Sequence, residues 1–153
     1  MKIVICSSIN FTEDIKKIAN ELIKRNHQVA IPFFSKKILK NKISLENYLK
    51  IKKEKGDISL RQKEKVDLIK KHFNLIKKAD AIFVLNITKN KIQNYIGGNT
   101  FLEMGFAHIL NKKIYLYNNI PNVKLYKDEI EAINPTILNQ DLTQIPSRAG
   151  ARD

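Results

Sequence analysis

The 153-residue chain has one cysteine, no tryptophan, five glycines and four prolines. The single cysteine, Cys6, excludes an internal disulfide and any Cys-x-x-Cys zinc or redox motif, and mildly favours a reducing compartment. No apolar run approaches the roughly 18–20 residues that a membrane helix needs. The apolar stretch at residues 2–6 is too short for a signal peptide. These absences predict a soluble, cytoplasmic protein with no membrane partner.

Glycine-rich nucleotide motifs are also missing. No G-x-G-x-x-G follows the first predicted strand, and no glycine pair precedes Lys-Ser or Lys-Thr, so the sequence has neither a dinucleotide nor a P-loop fingerprint. No histidine and carboxylate stand at metal-ligand spacing. We therefore expect no cofactor and no metal.

Acidic residues are scarce, with 15 Asp and Glu against 28 Lys and Arg, a formal net charge of +13. Most of the excess lies between Lys36 and Lys78. A basic block of this kind attracts phosphate, either in nucleic acid or in a small ligand. Its cations are nearly all lysine and aromatic rings are few, whereas nucleic-acid readers rely on arginine and stacked rings. A solvated helical face is the favoured interpretation, and nucleic-acid binding is the minor alternative.

Strand and helix patterns alternate along the chain, which predicts an α/β fold. The unit of strand, amphipathic helix and strand over residues 2–33 is typical of a parallel βαβ crossover. We expect a three-layer sandwich with a five-stranded, mostly parallel sheet, in one domain over residues 1–145 and a disordered tail at 146–153. The predicted strands cover residues 2–6, 28–33, 81–85, 113–117 and 136–138, and the clearest helices cover residues 59–78, 100–110 and 128–133.

Ligands of such sheets bind at the carboxyl ends of the strands. Three loops meet there in this prediction, at residues 7–12, 33–35 and 86–100, with a fourth at 118–121. The loop before the 100–110 helix contains Gly97 and Gly98, which let backbone N–H groups approach a ligand.

Glu103 has two interpretations. Thr100-x-x-Glu103 fits a capping box, in which the glutamate reaches back to the amide of Thr100. Alternatively, a carboxylate in the first helical turn beside a glycine-rich loop, kept ionised by the helix dipole, is a candidate nucleophile. Spacing alone does not choose between them.

Three further segments resemble a known family. They are Ala-Asp-Ala-Ile-Phe-Val-Leu-Asn from Ala79, Gly-Asn-Thr-Phe-Leu-Glu-Met-Gly-Phe-Ala from Gly98, and Asn-Lys-Lys-Ile-Tyr-Leu-Tyr from Asn111. Together they resemble the core of the nucleoside 2-deoxyribosyltransferase-like superfamily, which includes deoxynucleoside 5'-monophosphate N-glycosidases. The opening Cys-Ser-Ser-Ile from Cys6 is similar to the first ligand loop of that family.

The resemblance implies a flavodoxin-like fold, a small-molecule nucleoside or nucleotide substrate, and a homodimer. It implies cleavage of an N-glycosidic bond with Glu103 as the nucleophile, so that hydrolase and transferase activities are both expected candidates. The alternative is a non-catalytic nucleotide-binding or sensing module of the same fold. The resemblance, or a position in one of the predicted ligand loops, suggests eight substrate-binding residues: Ser7, Ser8, Ile9, Asn86, Tyr95, Gly97, Gly98 and Asn99.

The sequence departs from the family pattern at two positions. The transferases usually carry an aspartate where this chain has His72, and another where it has Gly97. A histidine with an ordinary pKa of about 6.5 is able to protonate a departing base, and His72 is the second candidate catalytic residue. It fits equally well as a half-exposed helix residue. Cys6, at the end of a buried strand, is interpreted as core packing rather than as a nucleophile.

Overall fold

The computed structural model describes residues 1–50, 53 and 62–147, with only the backbone described for 62–66. Most of the tail predicted to be disordered, residues 148–153, lies outside the described residues. The strands are β1 (Lys2–Cys6), β2 (Gln28–Ala30), β3 (Ala81–Val84), β4 (Lys113–Leu116) and β5 (Thr136–Ile137). The helices are α1 (Thr12–Lys24), α2 (Phe33–Leu39), α3 (Gln62–Lys77), α4 (Gly98–Ile109) and α5 (Lys127–Ile133). Residues 45–50 are also helical.

The five strands form one sheet in the order β2-β1-β3-β4-β5, and every pairing is parallel. This order has its topological switch between β1 and β3, as in flavodoxin-like sheets. The α/β, flavodoxin-like expectation is therefore confirmed, with a sheet that is wholly rather than mostly parallel.

Alternate residues of each central strand pack on opposite faces of the sheet. Ile3 and Ile5 of β1 join a core with the apolar side of α1, whereas Val4 and Cys6 join a second core with α3, α4 and α5. The central strands are buried on both faces, which explains their continuous apolar sequences. Cys6 consequently points toward the layer of α3 and α4.

The boundaries differ from the sequence prediction in one consequential place. The strand predicted for residues 28–33 ends at Ala30, and helix α2 begins at Phe33. Pro32 separates them, because it has no N–H for the sheet and is favourable at a helix start. Phe33, predicted as the last residue of the strand, is therefore the first residue of a helix, and the predicted loop at residues 33–35 is helical.

Asp80, directly before β3, has a structural role, since its Oδ2 accepts a hydrogen bond of 2.7 Å from the Lys2 backbone N–H. No helix within the described residues has both the length and the apolar character needed to span a membrane.

Candidate active site

A cavity of about 470 Å³ opens at the carboxyl edge of the sheet. The loops after β1 and β2, helix α3 and the turn into α4 all contribute to its lining. Three of the loops predicted to meet at this edge thus share one cavity, while the fourth, at residues 118–121, contributes no lining residue. Its volume lies within the range usual for small-molecule sites.

Three side chains that are distant in sequence converge at the inner end of this cavity. The Nε2 atom of His72 lies 3.5 Å from the Sγ atom of Cys6 and 3.5 Å from Oε1 of Glu103. His72 and Glu103 line the cavity, and Cys6 is fully buried behind them. The structure therefore unites both predicted catalytic residues and adds a thiol.

Helices α3 and α4, which carry His72 and Glu103, pack against each other through neighbouring side chains. Phe73 of α3 and Phe106 of α4 pack edge to face with ring centroids 5.2 Å apart. Ile76 and Met104 are fully buried beneath them. An aromatic pair of this geometry contributes about 0.5–1.5 kcal/mol beyond its area burial. It fixes the register that sets His72 opposite Glu103.

Burial dominates the electrostatics of Glu103. Only 17% of its side chain is exposed, and desolvation raises its pKa to about 8, opposed by a hydrogen bond with Cys6. The ordinary pKa of glutamate is about 4.3. Glu103 is therefore mainly protonated at neutral pH in the unliganded protein.

The structure corrects two expectations about Glu103. The helix begins at Gly98 rather than Thr100, so Glu103 lies in the second turn and no capping box forms. The influence of the helix dipole fades beyond the first turn. The dipole therefore does not keep Glu103 ionised, and the desolvation cost of the charged carboxylate prevails.

His72 is buried rather than half-exposed, with 10% of its side chain accessible. Desolvation lowers its pKa to about 4. Between pH 4 and 8 the pair formed by His72 and Glu103 thus holds one titrating proton, mostly on the carboxyl group. Because the two groups interact, these pKa values describe the pair.

Cys6 remains a neutral thiol in this setting. Burial raises the pKa of Cys6 well above its ordinary value, and the nearby Glu103 raises it further. The Sγ, imidazole nitrogen and carboxylate oxygen of the three residues lie within 4.8 Å of one another. These are ligand atoms that a metal ion could share, a convergence that linear spacing does not reveal.

The turn that leads into α4 is built around Tyr95 and Gly97. A Cβ at Gly97 would lie 3.1 Å from the Tyr95 hydroxyl oxygen, so close packing rather than an unusual backbone angle favours glycine there. A Cβ at Gly98 would meet nothing within 4 Å. Tyr95, both glycines and Asn99, which the sequence predicts to be ligand-binding residues, all line the cavity.

The loop after β1 supplies Ser7, Ser8 and Ile9 to the cavity. Ser7 Oγ donates a 2.7 Å hydrogen bond to the carbonyl of Leu85, which ties this loop to the end of β3. Ser8 Oγ donates to Asn10 Oδ1 and accepts from the Lys89 ammonium, each at 3.1 Å. A cation thus stands beside the predicted sugar or phosphate loop.

Asn86 is the one predicted binding residue that does not line the cavity. It is fully buried. Its amide donates to the carbonyls of Asn118 and Asn119, and its oxygen accepts from the Asn118 N–H. These bonds hold the loop after β3 to the loop after β4, so Asn86 has a structural role and does not contact the cavity.

Three neighbouring aromatic side chains, Phe33, Phe34 and Tyr48, form an aromatic wall of the cavity. Phe34 lies between Phe33 and Tyr48, with ring centroids 5.4 and 4.7 Å away. All three rings line the cavity. The aromatic wall, Lys89 and the contact of Cys6 with His72 were not predicted from the sequence, because residues far apart in the chain form them. The Phe-Phe pair at a predicted ligand edge was the available signal for the wall.

No protein-family model and no curated protein matches the chain. Three solved structures are similar to it: a 2-deoxyribosyltransferase from the psychrotolerant bacterium Bacillus psychrosaccharolyticus, the CMP N-glycosidase BcmB of Clostridium botulinum, and a 2-deoxyribosyltransferase from Leishmania mexicana. Their sequence identities are 17%, 12% and 17%, and their TM-scores are 0.47, 0.48 and 0.47. The alignments cover 76%, 90% and 82% of this chain and 71%, 84% and 70% of the others. Likenesses at these values assign neither substrate nor reaction to this chain.

Proposed function

We propose that the protein cleaves the N-glycosidic bond of a (deoxy)nucleoside or its 5'-monophosphate, with Glu103 as the nucleophile. The observation that carries this proposal is a carboxyl group at the inner end of the cavity, with an imidazole nitrogen 3.5 Å away. The motif resemblance around Glu103 supplies the reaction class. The paired groups provide both functions that the reaction requires, a nucleophile and an acid.

The chemistry begins with the single proton shared by the pair. Its transfer from the Glu103 carboxyl group to Nε2 of His72 creates a carboxylate and an imidazolium in one step. The carboxylate then forms a bond to the anomeric carbon as the C–N bond breaks, and the leaving base takes the bonding electrons. His72 gives its proton to that base. Water or a second base next attacks the anomeric carbon, gives its proton to Nε2 of the now neutral His72, and displaces Glu103 as a carboxylate. Return of that proton from His72 to Glu103 restores the starting pair.

The aromatic wall and the first loop suggest how the substrate is held. Phe33, Phe34 and Tyr48 offer ring surfaces for the base, because planar bases stack on aromatic side chains. Ser7 and Ser8, which also line the cavity, offer hydroxyl groups for the sugar or phosphate.

Base release tests this proposal directly. The native chain is incubated with purine and pyrimidine nucleosides, deoxynucleosides and their 5'-monophosphates, and free base is measured by chromatography. Adding a second base then separates exchange from hydrolysis. Saturable nucleotide binding without release of base from any substrate would contradict the proposed glycosidase activity.

A non-catalytic nucleotide-binding module is the second candidate. The observation that favours it is the protonated state of Glu103 at neutral pH, together with His72 and Gly97 at positions where transferases usually carry aspartate. Such a module would bind in the same cavity without turnover.

Lys89 should distinguish phosphorylated from unphosphorylated substrates. Its ammonium lies 3.1 Å from Ser8 Oγ and 4.9 Å from the ring centre of Tyr95, at the wall of the cavity. We expect Lys89→Met to lower kcat/KM about 10- to 100-fold for a 5'-monophosphate, since a charge-assisted hydrogen bond contributes about 1.5–3 kcal/mol. The parent nucleoside should change less than about threefold.

The matched control for this change is Lys113→Met, at the exposed amino end of β4. It should leave both substrates unaffected. Equal losses for nucleotide and nucleoside in the Lys89 variant would contradict a phosphate-directed role.

We also propose that the protein forms a homodimer through the exposed side of α4. Leu102 and Ile109 are 42% and 78% exposed, and a spacing of seven residues places them on the same helix face. Leu102 also lines the cavity, so a second copy at this face would stand beside the substrate.

Ile109→Glu should convert a dimer to a monomer, because the charged side chain would have to be buried at the interface. Light scattering coupled to size-exclusion chromatography measures the mass. Ile23→Glu, at an exposed position of α1 on the other side of the sheet, is the control. A native monomer, or a dimer that persists in Ile109→Glu, would refute this interface.

A further inference from the structure

We propose that Cys6, His72 and Glu103 form a site that binds Zn²⁺ reversibly, so that the ion is coordinated by both proposed catalytic residues and by the Cys6 thiolate. The three side chains offer one sulfur, one nitrogen and one oxygen atom within 4.8 Å of each other. Thiolate, imidazole and carboxylate are the usual protein ligands of Zn²⁺. In the described part of the chain, no other group of three such side chains brings its ligand atoms this close.

The two separations made by His72 Nε2 match the edges of a zinc tetrahedron. With Zn–S near 2.3 Å and Zn–N and Zn–O near 2.0–2.1 Å, tetrahedral angles place the sulfur and nitrogen about 3.5–3.6 Å apart and the nitrogen and oxygen about 3.4 Å apart. Both separations made by His72 Nε2 in the structure are 3.5 Å. The third edge, from the Glu103 carboxylate to Cys6 Sγ, is at most 4.8 Å long in the structure.

Charge balance also favours a divalent ion. Cys6 as thiolate and Glu103 as carboxylate carry two negative charges, which neutralise Zn²⁺ in a buried setting, while His72 binds as the neutral imidazole. A neutral ion group avoids the large cost of a buried net charge.

The surroundings give this site the form of an open zinc centre. The three ligands lie on β1, α3 and α4, which are fixed by the sheet and by the Phe73–Phe106 contact. Glu103 and His72 border the cavity, so water or a ligand from the cavity is able to take the fourth position. Three protein ligands with an exchangeable fourth are typical of accessible zinc sites.

Zinc at this position would inhibit the proposed glycosidase, because a carboxylate and an imidazole bound to the ion cannot attack or protonate a substrate. That consequence depends on the proposed function. The binding of the ion does not, and it is measured without substrate.

Cobalt(II) provides the test, since its thiolate complexes absorb in the near ultraviolet and its tetrahedral complexes absorb strongly in the visible. The native, tag-free chain under reducing conditions should give both absorptions at one Co²⁺ per chain, and stoichiometric Zn²⁺ should remove them. Cys6→Ser and His72→Gln should each weaken Zn²⁺ binding by more than about 100-fold, because changes outside the ligand shell already cost 10–100-fold. His108→Gln, at an exposed histidine of α4, should bind as the native chain does.

X-ray absorption of the zinc-loaded native chain adds a measurement that needs no variant. One sulfur with two or three nitrogen or oxygen ligands is the expected shell. A shell without sulfur, the absence of a thiolate band, or unchanged binding by a folded Cys6→Ser chain would overturn the site. Zinc binding together with no base release by the zinc-free chain from any substrate would retain the site and reject only the glycosidase.

Discussion

Replacing Glu103 by glutamine should lower kcat for base release by roughly 10⁴-fold, a loss typical of removing a catalytic nucleophile. Glutamine keeps the shape and one hydrogen-bonding oxygen, but it cannot form the glycosyl ester with the anomeric carbon. Glu103 is the carboxyl group that lies both on the cavity and within 3.5 Å of the His72 imidazole. The native chain and the variant are compared by chromatography of the released base.

Glu129→Gln is the matched control. Glu129 is exposed in the first turn of α5 and does not line the cavity. It should release base at the native rate. A Glu103→Gln chain that retains more than about a tenth of the native rate would exclude Glu103 as the nucleophile, and mass spectrometry of the quenched native reaction checks directly for a glycosyl ester.

The stability of the same variant reports the state of Glu103 without any substrate. Because burial raises the pKa of Glu103 to about 8 in the folded protein, the folded state binds more protons than the unfolded state between pH 4.5 and 8. The stabilisation from this group is therefore present at pH 4.5 and is lost as the pH rises through 8, by roughly 5 kcal/mol at most. In thermal melts, the melting temperature of Glu103→Gln should rise relative to that of the native chain from pH 6 to pH 9. A constant difference would mean that the carboxyl group titrates normally.

With the proposed reaction, the native chain should have a kcat/KM that is highest between about pH 4 and pH 8 and falls on both sides. In this range the pair of His72 and Glu103 holds the one proton that the reaction uses. Below pH 4 both groups are protonated and the nucleophile is lost. Above pH 8 both are deprotonated and no acid remains for the leaving base.

His72→Gln should remove the alkaline fall and lower the rate by about 10²–10⁴-fold for a natural nucleoside, the usual contribution of a general acid. An aryl deoxyriboside with an acidic leaving group should lose far less, because its leaving group departs without a proton. His108→Gln is the control, as an exposed histidine on the neighbouring helix. Equal losses for the two substrates would identify His72 as a positioning residue and not as the proton donor.

Much of the fold follows from local sequence patterns. The apolar runs of β1 and β3 and the amphipathic period of α1 predict a parallel α/β sheet, because strands buried on both faces require residues such as Ile and Val throughout. The end of β2 was not predicted correctly from these local patterns. The run from Gln28 to Phe33 reads as strand by composition, whereas Pro32 ends the ladder and starts a helix.

The site was only partly predictable for a related reason. Glu103 and His72 could be selected from the motif resemblance and from the loops at the sheet edge. Their electrostatics could not, because the pKa of each depends on how much water the packed helices exclude. The expectation that Glu103 stays ionised was wrong for this reason.

The sequence by itself determined the order of strands and helices, the edge of the sheet where loops converge, and the candidate nucleophile within a short motif. These features depend on neighbours in the chain, through side-chain periodicity and backbone preference. Only the tertiary structure decided that Cys6, His72 and Glu103 share one cluster, that their charges are suppressed, and that aromatic rings from α2 and the 45–50 helix line the same cavity. Desolvation and ligand geometry depend on distance in space, and packing of α3 against α4 over the end of β1 sets those distances.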